Sequence, residues 1–271
     1  MKKPLALALF SIGLTHLVCA QQPEKQAGIA VRPVTLEYSL KSSQIGTQKV
    51  SVTNALTEKK QFVVYVSDWR RDTTGAHVYT EPGKDPRSCA AWIQLSKNFF
   101  ELNPGETEEL IITMNHPADS TRDKQMSWCM LFIETIQEKM ITDTIGVTTT
   151  ITNKFRVGVH VYQNPPGELK KEIKLLSFNQ LDTAHRAYRI TCQNEGETQL
   201  QCASYLEIVS IESGKKIKIE PKEFPLFPEQ IRYIDFEMPT QLPVGKYMIT
   251  AIIDAGLDLA LEAAQLQIEI H

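Results

Sequence analysis

The sequence predicts an all-β protein made of two immunoglobulin-like β-sandwich domains in tandem, and three observations carry that prediction. Candidate strands with period-two alternation recur through the chain, separated by turns of Gly, Pro, Asn and Asp. No helix-period segment of normal length interrupts the series. The series also begins again after Gln163-Asn164-Pro165-Pro166, a stiff break that neither strand nor helix continues through. A chain of 271 residues fits two domains of ordinary size. The expected division is a signal peptide at 1–20, a first domain at 21–162, a linker at 163–166 and a second domain at 167–271.

The leader comes first. Lys2 and Lys3 give a positive start, Leu5 to Leu14 is an apolar run, and Val18-Cys19-Ala20 supplies a small-residue cleavage site after Ala20. Beyond it, Gly28 to Leu40 reads as a strand interrupted at Pro33, which belongs at a sheet edge or at a switch between sheets. Gln48 to Asn54 and Gln61 to Asp68 are further strands, and Arg70 to Pro86 reads as a loop. Cys89 to Leu95 and Glu109 to Met114 flank the turn Asn103-Pro104-Gly105-Glu106, where Pro presets one φ and Gly supplies a positive one. Met126 to Thr135 is apolar on both parities and predicts a central strand covered on both faces, with Trp128 in the core.

Asp143 to Tyr162 is the longest alternating run. Ile145, Val147, Ile151, Phe155, Val157, Val159 and Val161 share one face, and Thr148, Thr150, Thr152, Lys154, Arg156, Gly158 and His160 the other. It completes a set of about seven strands, as a sandwich of this kind requires. A long strand with basic side chains near its end is expected to serve as a docking edge for another chain. In the second domain Ile173–Phe178, Ala187–Gln193, Gln199–Ile211, Lys215–Glu220, Gln230–Phe236, Lys246–Asp254 and Leu259–Ile270 are strand candidates. Leu257 to Gln267 contains good helix formers, but the alternating end at Leu266, Ile268 and Ile270 favours a strand.

Composition narrows the function. The whole chain carries 29 basic and 32 acidic residues, and removing Lys2 and Lys3 leaves a net charge of −5. That weak acidity gives no support for nucleic acid or an anionic membrane surface as partner. No stretch after the leader reaches the roughly 20 apolar residues that span a bilayer, so the mature protein is expected to be exported and soluble. Cys89, Cys129, Cys192 and Cys202 remain after processing, and in an exported chain they can form disulfides, by spacing Cys89–Cys129 and Cys192–Cys202. For the first pair the alternative is buried thiols.

Catalytic and metal chemistry leave no trace. His77, His116, His160, His185 and His271 are scattered, with no HExxH or His/Cys ligand spacing, no GxSxG and no phosphate-binding glycine loop. No enzyme activity, no metal and no cofactor are expected. Asp68-Trp69-Arg70-Arg71 has the residue types of a binding spot, although a strand-end Trp over the core with solvated arginines accounts for it as well.

The first domain resembles the PapD-like periplasmic chaperone family, and more closely the chaperone-like exported proteins of Bacteroidetes. GIAVRP at 28–33, VSVTNALTEKKQFVVYVSDW at 50–69, SCAAWIQLSKNFFELNPGET at 88–107, LFIET at 131–135 and FRVGVHVYQNPP at 155–166 carry the resemblance. The second domain matches through YRITCQNEG and LPVGKY. The resemblance implies two sandwiches with a cleft between them, and a last strand of the first domain offered to exported pilin-like or other envelope subunits by β-strand addition. By position the donated side chains would be Ile145, Val147 and Ile151. It also implies two cleft cations that hold a client carboxylate, one mapping to Arg156 with Lys154 as its same-face alternative. The other would fall near Thr35, which is a hydroxyl, with Arg32 three residues earlier. The expected protein is therefore a periplasmic chaperone-like binder in envelope or fimbrial assembly, and an exposed edge strand also invites self-association. The alternative is a structural or adhesive envelope protein without clients.

Overall fold

The computed structural model describes residues 28–142, 148–182, 186–239, 241–256 and 259–270, with side chains described outside 136–153 and 182. The expected leader at 1–20, Ile145 and Val147 lie outside the described residues, as does the side chain of Ile151.

Alternation builds the first sandwich. Its strands are β1 (Ile29–Arg32), β2 (Thr35–Tyr38), β3 (Ile45–Asn54), β4 (Lys60–Arg71), β5 (His77–Thr80), β6 (Ile93–Leu95), β7 (Phe99–Leu102), β8 (Thr107–Asn115), β9 (Ser127–Thr142) and β10 (Thr148–Gln163). One sheet has the order β1-β3-β8-β6, and the other β2-β10-β9-β4-β5 with β7 also on β4. β1 pairs antiparallel with β3, whereas β2 pairs parallel with β10, so the chain changes sheets at Pro33, which has no N–H to give to either ladder. Leu36, Val50, Phe62, Leu110, Leu131 and Val159 meet between the sheets with no more than trace exposure. Each comes from the apolar parity of its strand.

The second sandwich repeats the plan with β11 (Ile173–Asp182), β12 (Ala187–Asn194), β13 (Leu200–Ser210), β14 (Lys216–Lys218), β15 (Lys222–Leu226), β16 (Ile231–Glu237), β17 (Gly245–Asp254) and β18 (Glu262–Ile270). The sheets are β11-β12-β16 and β14-β13-β17-β18, with β15 on β13. Tyr188, Ile190, Leu206, Leu226, Phe236 and Ile249 form a separate core. The end of the chain is a strand in register with β17, Ala264 facing Ala251 and Ile268 facing Tyr247.

One device recurs in both sandwiches. Asn54 ends β3 fully buried; its Nδ2 donates to Glu58 O at 2.8 Å and Leu102 O at 3.0 Å, and its Oδ1 accepts from Leu56 N at 3.1 Å. Asn194 ends β12 fully buried; its Nδ2 donates to Thr198 O and Leu226 O, both at 2.9 Å, and its Oδ1 accepts from Gly196 N at 2.8 Å. A primary amide has donors and an acceptor on one planar group, so a single side chain satisfies a turn and the neighbouring strand at once.

Several sequence expectations need correction. The loop expected at 70–86 contains β5, because β4 runs on to Arg71 and pairs Trp69 with Tyr79 and Arg71 with His77. The strand expected at Cys89 begins as a 3₁₀ turn, Ala90–Trp92, and only Ile93–Leu95 pairs. β7 and β15 are additional short strands lying against β4 and β13. The bridges Cys89–Cys129 and Cys192–Cys202 are not formed: all four residues are free, buried thiols. They pack in the two cores as small apolar side chains. Burial pushes the Cys192 and Cys202 thiols up to about 12. A hydrogen bond with Cys89, then burial, holds the Cys129 thiol well above the usual thiol range.

Candidate docking edge and its aromatic face

β10 pairs with β9 from Thr148 to Gln163. On its other side β2 covers only His160 to Gln163, because β2 is four residues long and leaves the opposite sheet at Pro33. Among the described residues no strand pairs with Thr148–Val159 on that side. An unpaired row of N–H and C=O groups is a template for a strand from another chain.

Side chains of alternate parity on β10 point to opposite faces. Val157, Val159 and Val161 pack into or against the first core, while Phe155 is 52% exposed, beyond the end of that core. Lys154, Arg156, His160 and Tyr162 lie on the outer face. Lys154 and Arg156 are exposed there, but His160 and Tyr162 are half-buried and the face carries a row of aromatic rings. β4 gives it Tyr65 and Trp69, β5 gives His77 and Tyr79, and β9 gives Trp128, Met130 and Phe132. Gly158 makes room here: a Cβ on it would stand 2.9 Å from Met130 Sδ and 3.3 Å from the Phe132 ring.

Arg156 is held by the aromatic rings. Its guanidinium lies 4.3 Å from the Phe132 centroid and 5.4 Å from that of Tyr79, and its Nη1 donates to Tyr65 Oη at 3.4 Å. Tyr65 donates in turn to Glu134 Oε2 at 2.9 Å, and Lys154 Nζ stands 3.3 Å from Glu134 Oε1. Burial opposes ionisation of Glu134, but the Tyr65 hydroxyl, Lys154 and Arg156 outweigh it and set its pKa below the usual carboxylate value. Two cations against one carboxylate leave one positive charge in excess, beside the open edge. The arrangement can accept one carboxylate.

Lys154 and Arg156 are thus brought together, and Arg32 is not. Arg32 is exposed on β1, in the opposite sheet from β10. Thr35 is the first-strand residue that reaches β10, opposite His160. Trp128 also departs from expectation: it is buried outside the first core, in an aromatic cluster with Trp69 and with Phe227 of the second sandwich. Trp69 is 1% exposed in that cluster, Arg70 pairs with Asp85, and Arg71 donates to Gly75 O at 2.8 Å.

Phe227 joins the sandwiches. Its ring centroid is 5.0 Å from that of Trp69, 5.2 Å from Trp128 and 6.0 Å from Tyr162. Around it Tyr233 N donates to Thr73 O at 2.8 Å, Met126 N to Glu197 O at 3.1 Å, and Arg87 Nη2 to Glu229 Oε1 at 2.7 Å. The same segments line a cleft of about 390 Å³ between the two sandwiches, walled by Trp69, Trp128 and Phe227.

Sequence reasoning missed Tyr65, His77, Tyr79, Phe132 and Phe227. The one signal in the sequence was the second apolar parity of 126–135, which requires a cover for both faces. Among the described residues no helix is long and apolar enough to cross a membrane, and no group of three or more His, Cys, Asp or Glu is placed to hold a metal ion.

No family model matches the sequence, and no curated protein matches it. Among solved structures, the chain is similar to one described as a chaperone–tip adhesin complex in CFA/I fimbriae biogenesis, with a TM-score of 0.46 and 11% identity over 89% of this chain and 98% of that one. A second is the CsuC–CsuE chaperone–tip adhesion subunit pre-assembly complex from Csu pili of Acinetobacter baumannii, with a TM-score of 0.46 and 13% identity over 88% of this chain and 98% of that one. The E. coli chaperone DraB is similar with a TM-score of 0.41 and 14% identity, over 90% of this chain and 98% of that one.

Proposed function

We propose that this protein is an exported, periplasmic chaperone-like binder that takes a strand of an envelope or fimbrial subunit along the open edge of β10. The observation that carries the reading is the edge Thr148–Val159, which no strand among the described residues pairs, flanked by a face with one positive charge in excess. Backbone hydrogen bonds along the edge would supply affinity, and alternate side chains would supply selection. In this reading Arg156, assisted by Lys154, receives a carboxylate of the client, with the guanidinium fork already oriented by Tyr65 and Phe132. Ile145, Val147 and Ile151 belong to the parity that fills the client's groove. Arg32, exposed on β1 in the opposite sheet, is the weaker candidate for the second cation.

The test is a crosslinked pull-down of tagged protein from its native envelope beside Arg156→Ala and Val147→Asp. The expected outcome is one or a few exported β-rich subunits, captured one to one by the wild type and lost by both variants. The same stable partners retained by all three proteins would overturn edge donation and favour a structural envelope component.

A further inference from the structure

His77 and His160 are 83 positions apart in sequence, yet their imidazoles meet, with Nε2 atoms 3.3 Å apart. Both rings lean on the Trp69 indole, at centroid distances of 4.8 Å for His77 and 5.1 Å for His160. Each is also held from the side by a stacked tyrosine: His77 by Tyr79 and His160 by Tyr162, each at 5.8 Å. Two ring nitrogens aimed at one another can share a single proton, one donating and one accepting. They can equally converge on a metal ion. Bonds of roughly 2.0–2.1 Å at a tetrahedral zinc place two ligand nitrogens about 3.3–3.4 Å apart, the separation seen here.

We propose that His77 and His160 form a two-imidazole site for a divalent late transition ion, zinc or copper, with its remaining positions open to water or to a donor from a bound partner. Imidazole nitrogen suits these ions. A neutral imidazole turns an Nε2 lone pair to the ion once its proton sits on Nδ1. Arg71, directly across from His77 in the β4–β5 pairing, opposes a dication and sets the affinity lower than two imidazoles alone would give. The site stands on its own geometry and does not depend on the edge reading.

Zn²⁺ and Cu²⁺ are titrated separately into the purified full chain by calorimetry at pH 7.5 in a non-chelating buffer. One saturable equivalent is expected, weakened at least tenfold in both His77→Ala and His160→Ala, and tightened several-fold in Arg71→Gln. His77 is partly exposed on a four-residue edge strand, so its variant should keep the far-UV circular dichroism of the wild type. The proposal fails if the wild type shows no saturable binding. It fails equally if a folded His77→Ala binds as the wild type does, which would place the ion at other histidines such as His116 or His185.

Discussion

Truncating Phe227 to alanine should uncouple the two sandwiches while leaving each core intact. The ring is 4% exposed and touches three aromatic rings of the first sandwich, at 5.0, 5.2 and 6.0 Å. Removing a buried phenylalanine costs ~3–5 kcal/mol where neighbours cannot collapse into the space. The other ties across the junction are weaker. The Arg87–Glu229 pair has a carboxylate 72% exposed and contributes at most ~1 kcal/mol. The backbone bonds from Tyr233 to Thr73 and from Met126 to Glu197 contribute ~1 kcal/mol each. Gln230 Nε2 also donates to Asp72 O across the junction, at 3.3 Å. Phe227 is the largest single tie among these, and a loss of ~3 kcal/mol shifts the docked-to-undocked ratio about a hundredfold, at ~1.4 kcal/mol per factor of ten. Two measurements read this out. Small-angle scattering should show a larger radius of gyration for Phe227→Ala. In urea, tryptophan fluorescence from Trp69 and Trp128 should change at lower denaturant than far-UV circular dichroism. An unchanged scattering profile together with coincident transitions, or a cost below ~1 kcal/mol, would refute the view that this ring holds the cleft in shape.

Asn54→Ala and Asn194→Ala each leave buried carbonyls and an amide without partners and should cost ~2–4 kcal/mol in urea denaturation, with similar values in the two sandwiches. A cost near zero at either position would show that water satisfies the turn. Acid should destabilise the fold through His160. Its folded pKa, about 4, lies below the 6.5 of the unfolded chain, so its contribution is fully present above pH 6.5 and is lost as pH falls towards 4. At ~1.4 kcal/mol per unit the ceiling is ~3 kcal/mol, reduced to ~1–2 kcal/mol by residual exposure and screening. A pH titration of stability should therefore be flatter between 6.5 and 4 in His160→Gln than in the wild type; identical slopes would show that the imidazole is not buried neutral. Arg156→Ala should change stability by less than ~1 kcal/mol, since the side chain makes only surface cation–π contacts and one long hydrogen bond; a loss of several kcal/mol would make it a structural residue and remove it as an anchor.

Alternation was enough to find the architecture, because burial in a sandwich acts on one parity of a strand and the core side chains of β3, β8, β10, β12 and β17 write that parity directly into the sequence. Pro33 left two alternatives, a sheet edge or a switch between sheets, and the pairing of β1 with β3 and of β2 with β10 decides for the switch. What alternation cannot say is what covers the other parity. On β9 the second face is Trp128, Met130 and Phe132, a row that reads as doubly buried but names no partner. The partners come from β4, β5 and a loop of the second sandwich, so they are set by topology. β5 escaped notice for a related reason: four residues reading HVYT between turns carry too little pattern, and the strand exists because β4 overruns its expected end and offers Trp69 and Arg71 for pairing. His77 and His160 looked scattered on that account alone. Once β5 folds back on β4, Trp69 becomes the shared support of both imidazoles. The polar parity of β10 therefore does two jobs that its sequence shows as one: near Gln163 it reaches the junction between the sandwiches through Tyr162, which meets Phe227, and towards Thr148 it leaves Arg156 and Lys154 beside a backbone that no described strand pairs on that side. The boundary between those jobs is the end of β2, a four-residue strand, and lengthening β2 by a few residues would cover the edge on which docking relies.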